Sequence, residues 1–149
     1  MTILAAIDEN PRSQNVVEVA YDLATTYDDT LVALHVVPEE DFEAHKRSLA
    51  DNPEFHDFSL AQEADSARRI ARRVVVDTVD DVDRSRLDPR GRVGDIADEI
   101  LAEADRLDPR FLVIGGRRRS PVGKALFGNT AQQILLKAEC PVVSRLTDA

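Results

Sequence analysis

Short apolar runs alternate with segments of helical periodicity along the chain, and this alternation limits the available folds most. The runs at 2–7, 30–37, 111–116 and 141–146 are apolar throughout or nearly so, as in strands buried on both faces. A weaker run at 86–93 contains Pro89, which a sheet tolerates mainly at its edge. The pattern predicts an α/β fold, with one open five-stranded parallel sheet and helices on both faces in a Rossmann-like arrangement.

Helical periodicity fills the gaps between these strands. We expect helices from Ser13, over 60–79, after Gly94 and after Asn129, and a long, partly helical loop over 38–58. We expect a single domain over residues 1–149, because no linker or repeat interrupts the alternation. No apolar run reaches the roughly 18 residues of a membrane span, and the first residues do not resemble a secretory signal.

The charge balance is acidic and unusual in kind. The formal net charge is -9, with 18 Asp among the 28 acidic residues and only three Lys among the 19 basic ones. Molar salt would screen the resulting self-repulsion, so this composition favours a halophilic organism, and the features together favour a cytoplasmic protein. The same balance argues against nucleic acid as the main partner, because phosphate contacts require clustered Lys or Arg.

Ligands of an open parallel sheet bind at the carboxyl ends of its strands. Three such ends carry informative residues: Asp8, the segment 36–38, and Gly115 with the arginines that follow it. The third belongs to a basic window, 109–138, which holds six Lys or Arg and no acidic residue. Four of the six glycines fall within 115–128, where glycine permits close backbone approach to a ligand.

The last predicted helix adds a second anion-binding feature to this window. Asn129 is expected to be its N-cap, with Gln132 forming a capping-box-like pair, so free N–H groups would point at Arg117, Arg118 and Arg119. Backbone N–H groups at a helix start are a ready anion site. The strand end, the glycines, the arginines and the helix start together predict a polyphosphate site.

Other chemistries find less support in the sequence. A P-loop is excluded because Arg118 and Ala125 replace its first glycine and its hydroxyl residue, and the pattern G-x-G-x-x-G is absent. His35 is expected to be a packed core histidine, and no metal site is expected at the other two histidines. Ser120 has no local base, so no catalytic residue is predicted, and any ATP hydrolysis is expected to be slow.

Three segments resemble the universal stress protein family: "LAAID", "LHVV" and "VIGGRRRSPVGKALFGNTAQQILLKAECPVV". The resemblance implies a five-stranded fold of the adenine nucleotide alpha hydrolase-like type, a homodimer, and in some members a bound ATP. The ATP-binding pattern is G-x-x-G, nine residues, then G-[ST]. Its first and third glycines match Gly115 and Gly128, whereas Arg118 replaces the second glycine and Asn129, followed by Thr130, replaces the hydroxyl residue.

The resemblance also implies a role for two strand ends and for the last strand. Asp8 and Val36 match the family's positions beside ribose and adenine. Dimerisation is expected through Val142 to Leu146, because a terminal strand at a sheet edge invites pairing. The predicted function is that of a cytoplasmic sensor or switch in the stress response that binds ATP, with Mg²⁺ on the phosphates. The alternative is a dimeric interaction module without nucleotide, whose basic loop docks an acidic partner protein.

Overall fold

Strands and helices alternate in the computed structural model as the sequence predicts, over the residues that it describes, 1–50, 59–118 and 128–148. The strands are β1 (Thr2–Ala6), β2 (Thr30–Pro38), β3 (Leu87–Gly94), β4 (Phe111–Arg118) and β5 (Val142–Asp148). The helices are α1 (Ser13–Tyr27), α2 (Glu39–Ala50), α3 (Leu60–Thr78), α4 (Ile96–Leu107) and α5 (Asn129–Lys137), with a short 3₁₀ turn at Arg84–Arg86.

The five strands form one parallel sheet in the order β3-β2-β1-β4-β5. Leu4 in the central strand β1 pairs with Val32 of β2 on one side and with Leu112 of β4 on the other. The predicted α/β architecture is therefore confirmed. The two strands expected at edges are both there, β3 with its Pro89 on one side and β5 on the other.

The core has two layers, one on each face of the sheet. Helices α1 and α3 cover one face, where Ala20 and Ala71 pack on residues such as Ala33. Helices α4 and α5 cover the other face, where Ile100 and Ile134 pack on β1, β2 and β4. Strand β2 is buried over seven consecutive residues, as expected of an inner strand of a parallel sheet.

Helix faces were predicted less accurately than helix positions. The helical spacing from Val16 to Tyr27 predicts one apolar face of α1, but Tyr27 is half exposed. Its ring is tilted against that of Phe111 and lies under the guanidinium of Arg110. Leu135 on α5 and Leu60 on α3 are likewise exposed. Tyr27 is the last residue of α1 and Leu60 the first residue of α3, and a helix end reaches beyond the sheet core into water.

The side chain of His35 is buried, as predicted for a core histidine. Its Nδ1 lies 3.0 Å from the carbonyl oxygen of Ile7 and donates to it, since a carbonyl can only accept. Helix α2 occupies the first part of the stretch that was predicted as a long, partly helical loop, and residues 51–58 lie outside the described chain. In the described ranges, no helix is long and apolar enough to cross a bilayer.

Candidate functional site

A cleft of about 410 Å³ opens at the carboxyl edge of the sheet, above β1 and β4. Strands β2 and β5 continue the sheet in opposite directions from this central pair, so the cleft lies at the switch point in strand order, where open α/β sheets bind ligands. Its lining comes from β1, the β1–α1 loop, α1, β2, α4, β4, α5 and β5. The predicted residues Asp8, Val36, Gly115, Arg117, Gly128, Asn129 and Thr130 all line it.

The floor of the cleft is apolar and belongs to the α4 and α5 side of the sheet. Val36 is 6% exposed, and Ile100 and Ile134 below it are buried in the same core layer. These side chains offer a flat hydrophobic surface that would remove an aromatic ring from water. The polar groups lie around this floor, which is the usual composition of a small-molecule site.

Gly115 lines the cleft where α1 packs on β4. A β-carbon on Gly115 would lie 3.1 Å from Cγ2 of Val16, tighter than ordinary packing allows. The glycine therefore serves helix packing as well as keeping the backbone accessible from the cleft.

Asp8 is held by a local network rather than left free at the strand end. Its Oδ1 accepts hydrogen bonds from the backbone N–H of Asn10 at 2.7 Å and from the Ser13 hydroxyl at 2.8 Å. Its own N–H donates to the Ser13 oxygen at 2.9 Å. Ser13 is buried and is the first residue of α1, so the start of this helix fixes the direction of the Asp8 carboxylate. This arrangement leaves Oδ2 without a hydrogen bond to the described part of the chain.

Helix α5 begins one residue earlier than predicted, so the assignment of Asn129 as N-cap is wrong. Gly128 is the N-cap, in extended conformation, and its carbonyl accepts from the Gln132 amide at 2.9 Å. Asn129 is thereby inside the helix, where its side chain cannot cap, and no capping box forms with Gln132. The N–H groups of the first turn still lack helical partners and open onto the cleft.

The arginine loop lies largely outside the described residues. Arg117 lines the cleft, whereas the side chain of Arg118 and all of Arg119 belong to the part that is not described, as do Ser120 and Lys124. The predicted location of Arg118 and Arg119 at the cleft thus stays a prediction.

Two further cleft arginines were missed by sequence reasoning. Arg12 precedes α1, and Arg145 lies on β5 directly opposite Gly115 in the strand register. A signal for Arg145 was present, because every strand of a parallel sheet ends at the same edge, and Arg145 is near the end of the last strand. Arg12 follows Asp8 within the same strand-end loop.

The other histidine of the described residues, His45, lies beside a carboxylate. Nδ1 of His45 on α2 lies 2.9 Å from Oε1 of the buried Glu63 on α3. Over the described ranges, no group of three or more His, Cys, Asp or Glu side chains is arranged to hold a metal ion.

Comparisons with known proteins identify relatives along nearly the whole chain. The model of the universal stress protein family matches residues 1–144. A universal stress protein of Mycolicibacterium smegmatis is 46% identical over 50 residues, which are 34% of this chain. That match spans only 38% of the length of the curated relative.

Solved structures extend the likeness to the fold. A universal stress protein from Archaeoglobus fulgidus is 26% identical with a TM-score of 0.60, covering 97% of both chains. A dAMP complex from the same organism is 24% identical with a TM-score of 0.52, covering 97% of this chain and 96% of that one. A universal stress protein in complex with cAMP is 15% identical with a TM-score of 0.64, covering 98% and 96%. The chain belongs to the universal stress protein family.

Proposed function

We propose that this member of the universal stress protein family binds an adenine nucleotide, ATP with Mg²⁺, in the cleft above β1 and β4, as a sensor or switch in the stress response. The observation that carries the proposal is the form of the cleft, an apolar floor beside a helix start and cationic side chains. Two solved structures of the same fold are complexes with dAMP and with cAMP, which supports an adenine nucleotide as the ligand class.

The base and the sugar have matching surfaces in this cleft. Adenine would lie against Val36 on the apolar floor, where removal of the ring from water favours binding. The ribose would lie beside Asp8 and Gly115. The Asp8 carboxylate is suited to accept from a ribose hydroxyl, because the network at the start of α1 already orients it.

The phosphates would lie between Arg117, with Arg118 and Arg119 after it, and the start of α5 at Gly128, Asn129 and Thr130. Free N–H groups and the positive end of the helix dipole favour an anion there. The loss of the Asn129 cap leaves this argument intact, since it depends on backbone N–H groups. A Thr130 hydroxyl near the same turn would add a donor.

Calorimetric titration of nucleotide-free protein with Mg-ATP in molar potassium chloride tests the proposal. We expect micromolar affinity, weaker binding of AMP, and a higher unfolding temperature with ATP, because a ligand that binds the native state stabilises it by mass action. Absence of both heat and thermal stabilisation would contradict nucleotide binding. It would favour the alternative, a nucleotide-free interaction module, and a search for an acidic partner protein.

Replacing Arg118 with glutamate is expected to abolish ATP binding in the same titration, because the change puts a carboxylate where a phosphate would lie. The matched control is Arg72→Glu, since Arg72 is exposed on α3 and no residue of α3 lines the cleft. Both variants change the net charge equally. Unchanged ATP affinity in Arg118→Glu would show that the basic loop does not hold the phosphates.

We propose also that two chains pair through β5. This strand is a sheet edge, and its Ser144 hydroxyl is buried without a hydrogen-bond partner in the described chain. Sedimentation is expected to give a mass of twice the 16.5 kDa of one chain. Leu146→Lys is expected to shift the measured mass towards that of a single chain, because a charge on an edge strand opposes pairing. A wild-type monomer at all accessible concentrations would refute the dimer.

A further inference from the structure

We propose that Arg12 and Arg145 bind the terminal phosphates of the nucleotide and so make the cleft selective for a triphosphate over a monophosphate. This inference rests on the proposed function and specifies which anion the cleft prefers. Neither residue belongs to the glycine-rich segment that the sequence analysis assigned to phosphate.

The two arginines converge on the cleft from distant parts of the sequence. Arg12 occupies the N-cap position of α1, and Arg145 lies opposite Gly115 in the β4–β5 register. Residues two apart on a strand share a face, and Val143 packs in the core layer under α1 and α3. Arg145 therefore lies on the α1 side of the sheet, as does Arg12 at the start of α1, whereas the start of α5 belongs to the other side.

Among the described residues, Arg12 and Arg145 also have no carboxylate partner, unlike several other arginines of this acidic chain. Arg86, Arg90, Arg92 and Arg110 each form an ion pair with an Asp or Glu. Within the described chain, Arg12 forms no ion pair, and Arg145 only donates to the carbonyl oxygen of the next residue at 2.8 Å.

The described lining of the cleft is cationic as a whole. It contains three arginines and a single carboxylate, that of Asp8, whose Oδ1 already accepts two hydrogen bonds. In a chain of net charge -9, an excess of cations in a concave site requires a reason. An anionic ligand supplies one, since it would neutralise the guanidinium groups of Arg12 and Arg145, which have no carboxylate partner among the described residues.

The cleft runs from the α4 and α5 side of the sheet to the α1 side, so the phosphates of a bound nucleotide would fall into two groups. With the base on the floor under α4 and α5, the first phosphate reaches the N–H groups at the start of α5. The further phosphates extend over the end of β4 towards the α1 side, where Arg12 and Arg145 lie. A planar guanidinium binds two phosphate oxygens at once, so each arginine matches one terminal phosphate well.

The test compares ATP with AMP in calorimetric titrations of four variants: Arg12→Gln, Arg145→Gln, the double variant, and Arg72→Gln as the charge-matched control. Each cleft substitution is expected to lower ATP affinity about tenfold and to leave AMP affinity within about twofold, because AMP lacks the phosphates in question. Arg12→Lys and Arg145→Lys, which keep the charge, are expected to recover part of the ATP affinity. Unfolding temperatures without ligand verify that every variant folds.

The possible outcomes separate this inference from the proposed function. If the wild type binds neither nucleotide, both fail. If the wild type binds ATP and the cleft variants behave like Arg72→Gln, nucleotide binding stands and this inference is overturned. If ATP and AMP lose affinity equally, the arginines act on the cleft as a whole, and phosphate selection by them is refuted.

Discussion

Replacement of Glu103 with glutamine is expected to lower the free energy of unfolding by about 3 kcal/mol at neutral pH. Glu103 lies on α4, is 0% exposed, and is the shared partner of three guanidinium groups. Arg90 and Arg92 reach it from the edge strand β3, at 2.7 and 2.5 Å, and Arg106 reaches it from the next turn of α4. One carboxylate thus ties the edge of the sheet to a helix.

The expected cost follows from what the substitution leaves behind. A neutral amide cannot balance three cations, and burying unpaired charge is among the most expensive single changes in a protein. The arginines are partly exposed, at 30% for Arg92 and 31% for Arg90, so water can solvate them after the change. This keeps the expected loss near the lower end of what a broken buried pair costs.

The same network predicts how stability depends on pH. Burial alone would raise the pKa of Glu103, but hydrogen bonds from Arg106, Arg92 and Arg90 outweigh it, and the pKa lies below its usual value. A lowered carboxyl pKa stabilises the native state above the unfolded-state value of about 4.3, and that contribution disappears as pH falls through the folded-state value. The stability difference between wild type and Glu103→Gln should therefore shrink on acidification below about pH 4.3.

Urea unfolding at several pH values measures both effects. The matched control is Asp105→Asn, which makes the same chemical change at an exposed position of the same helix and is expected to stay within about 0.5 kcal/mol of wild type. Equal stability of the two variants at neutral pH would show that the arginine cluster does not depend on Glu103. A difference that stays constant down to pH 3 would show that the carboxylate has an ordinary pKa.

The sequence did not reveal this network, because its members are charged and a charged residue in a sequence is expected to be exposed to solvent. Glu103 is three residues after Ile100 and adjacent to Ala104, both on the buried face of α4, yet a stripe defined by apolar residues alone leaves it out. Arg90 and Arg92 have the two-residue spacing of one strand face. Only the packing of α4 beside β3 shows that these charges meet.

Element order and the location of the cleft were within reach of sequence reasoning. Apolar runs set the strands, and the rule for open parallel sheets selected the ends at Asp8, Val36 and Gly115, which line one cleft in the structure. What periodicity could not give is the register between distant strands. That register places Arg145 opposite Gly115 and so adds a cation from the last strand of the chain.

Replacement of Gly91 with valine is expected to destabilise the protein by about 3 kcal/mol or more, because overpacking against rigid backbone has no cheap relief. Helix α3 crosses the edge strand β3 at this residue. A β-carbon there would overlap the carbonyl oxygen of Ala64 and the amide nitrogen of Arg68, and it would lie 2.7 Å from the β-carbon of Ala67. Two of these atoms belong to helix backbone, so either α3 or β3 must move.

The structure offers a control that separates steric overlap from the general effect of losing a glycine. A β-carbon on Gly128 would meet nothing within 4 Å, and the φ of -64° there suits any residue. Gly128→Ala should therefore stay within about 0.5 kcal/mol of wild type without ligand, because the poorer N-cap and the less flexible unfolded chain act in opposite directions. Gly91→Ala should already cost more than about 1 kcal/mol, and Gly91→Val more again. If Gly91→Ala were as stable as wild type, α3 could not lie as close to β3 as this packing requires. Close approach of α3 to the edge strand would then not explain why residues 64, 67 and 71 are alanines.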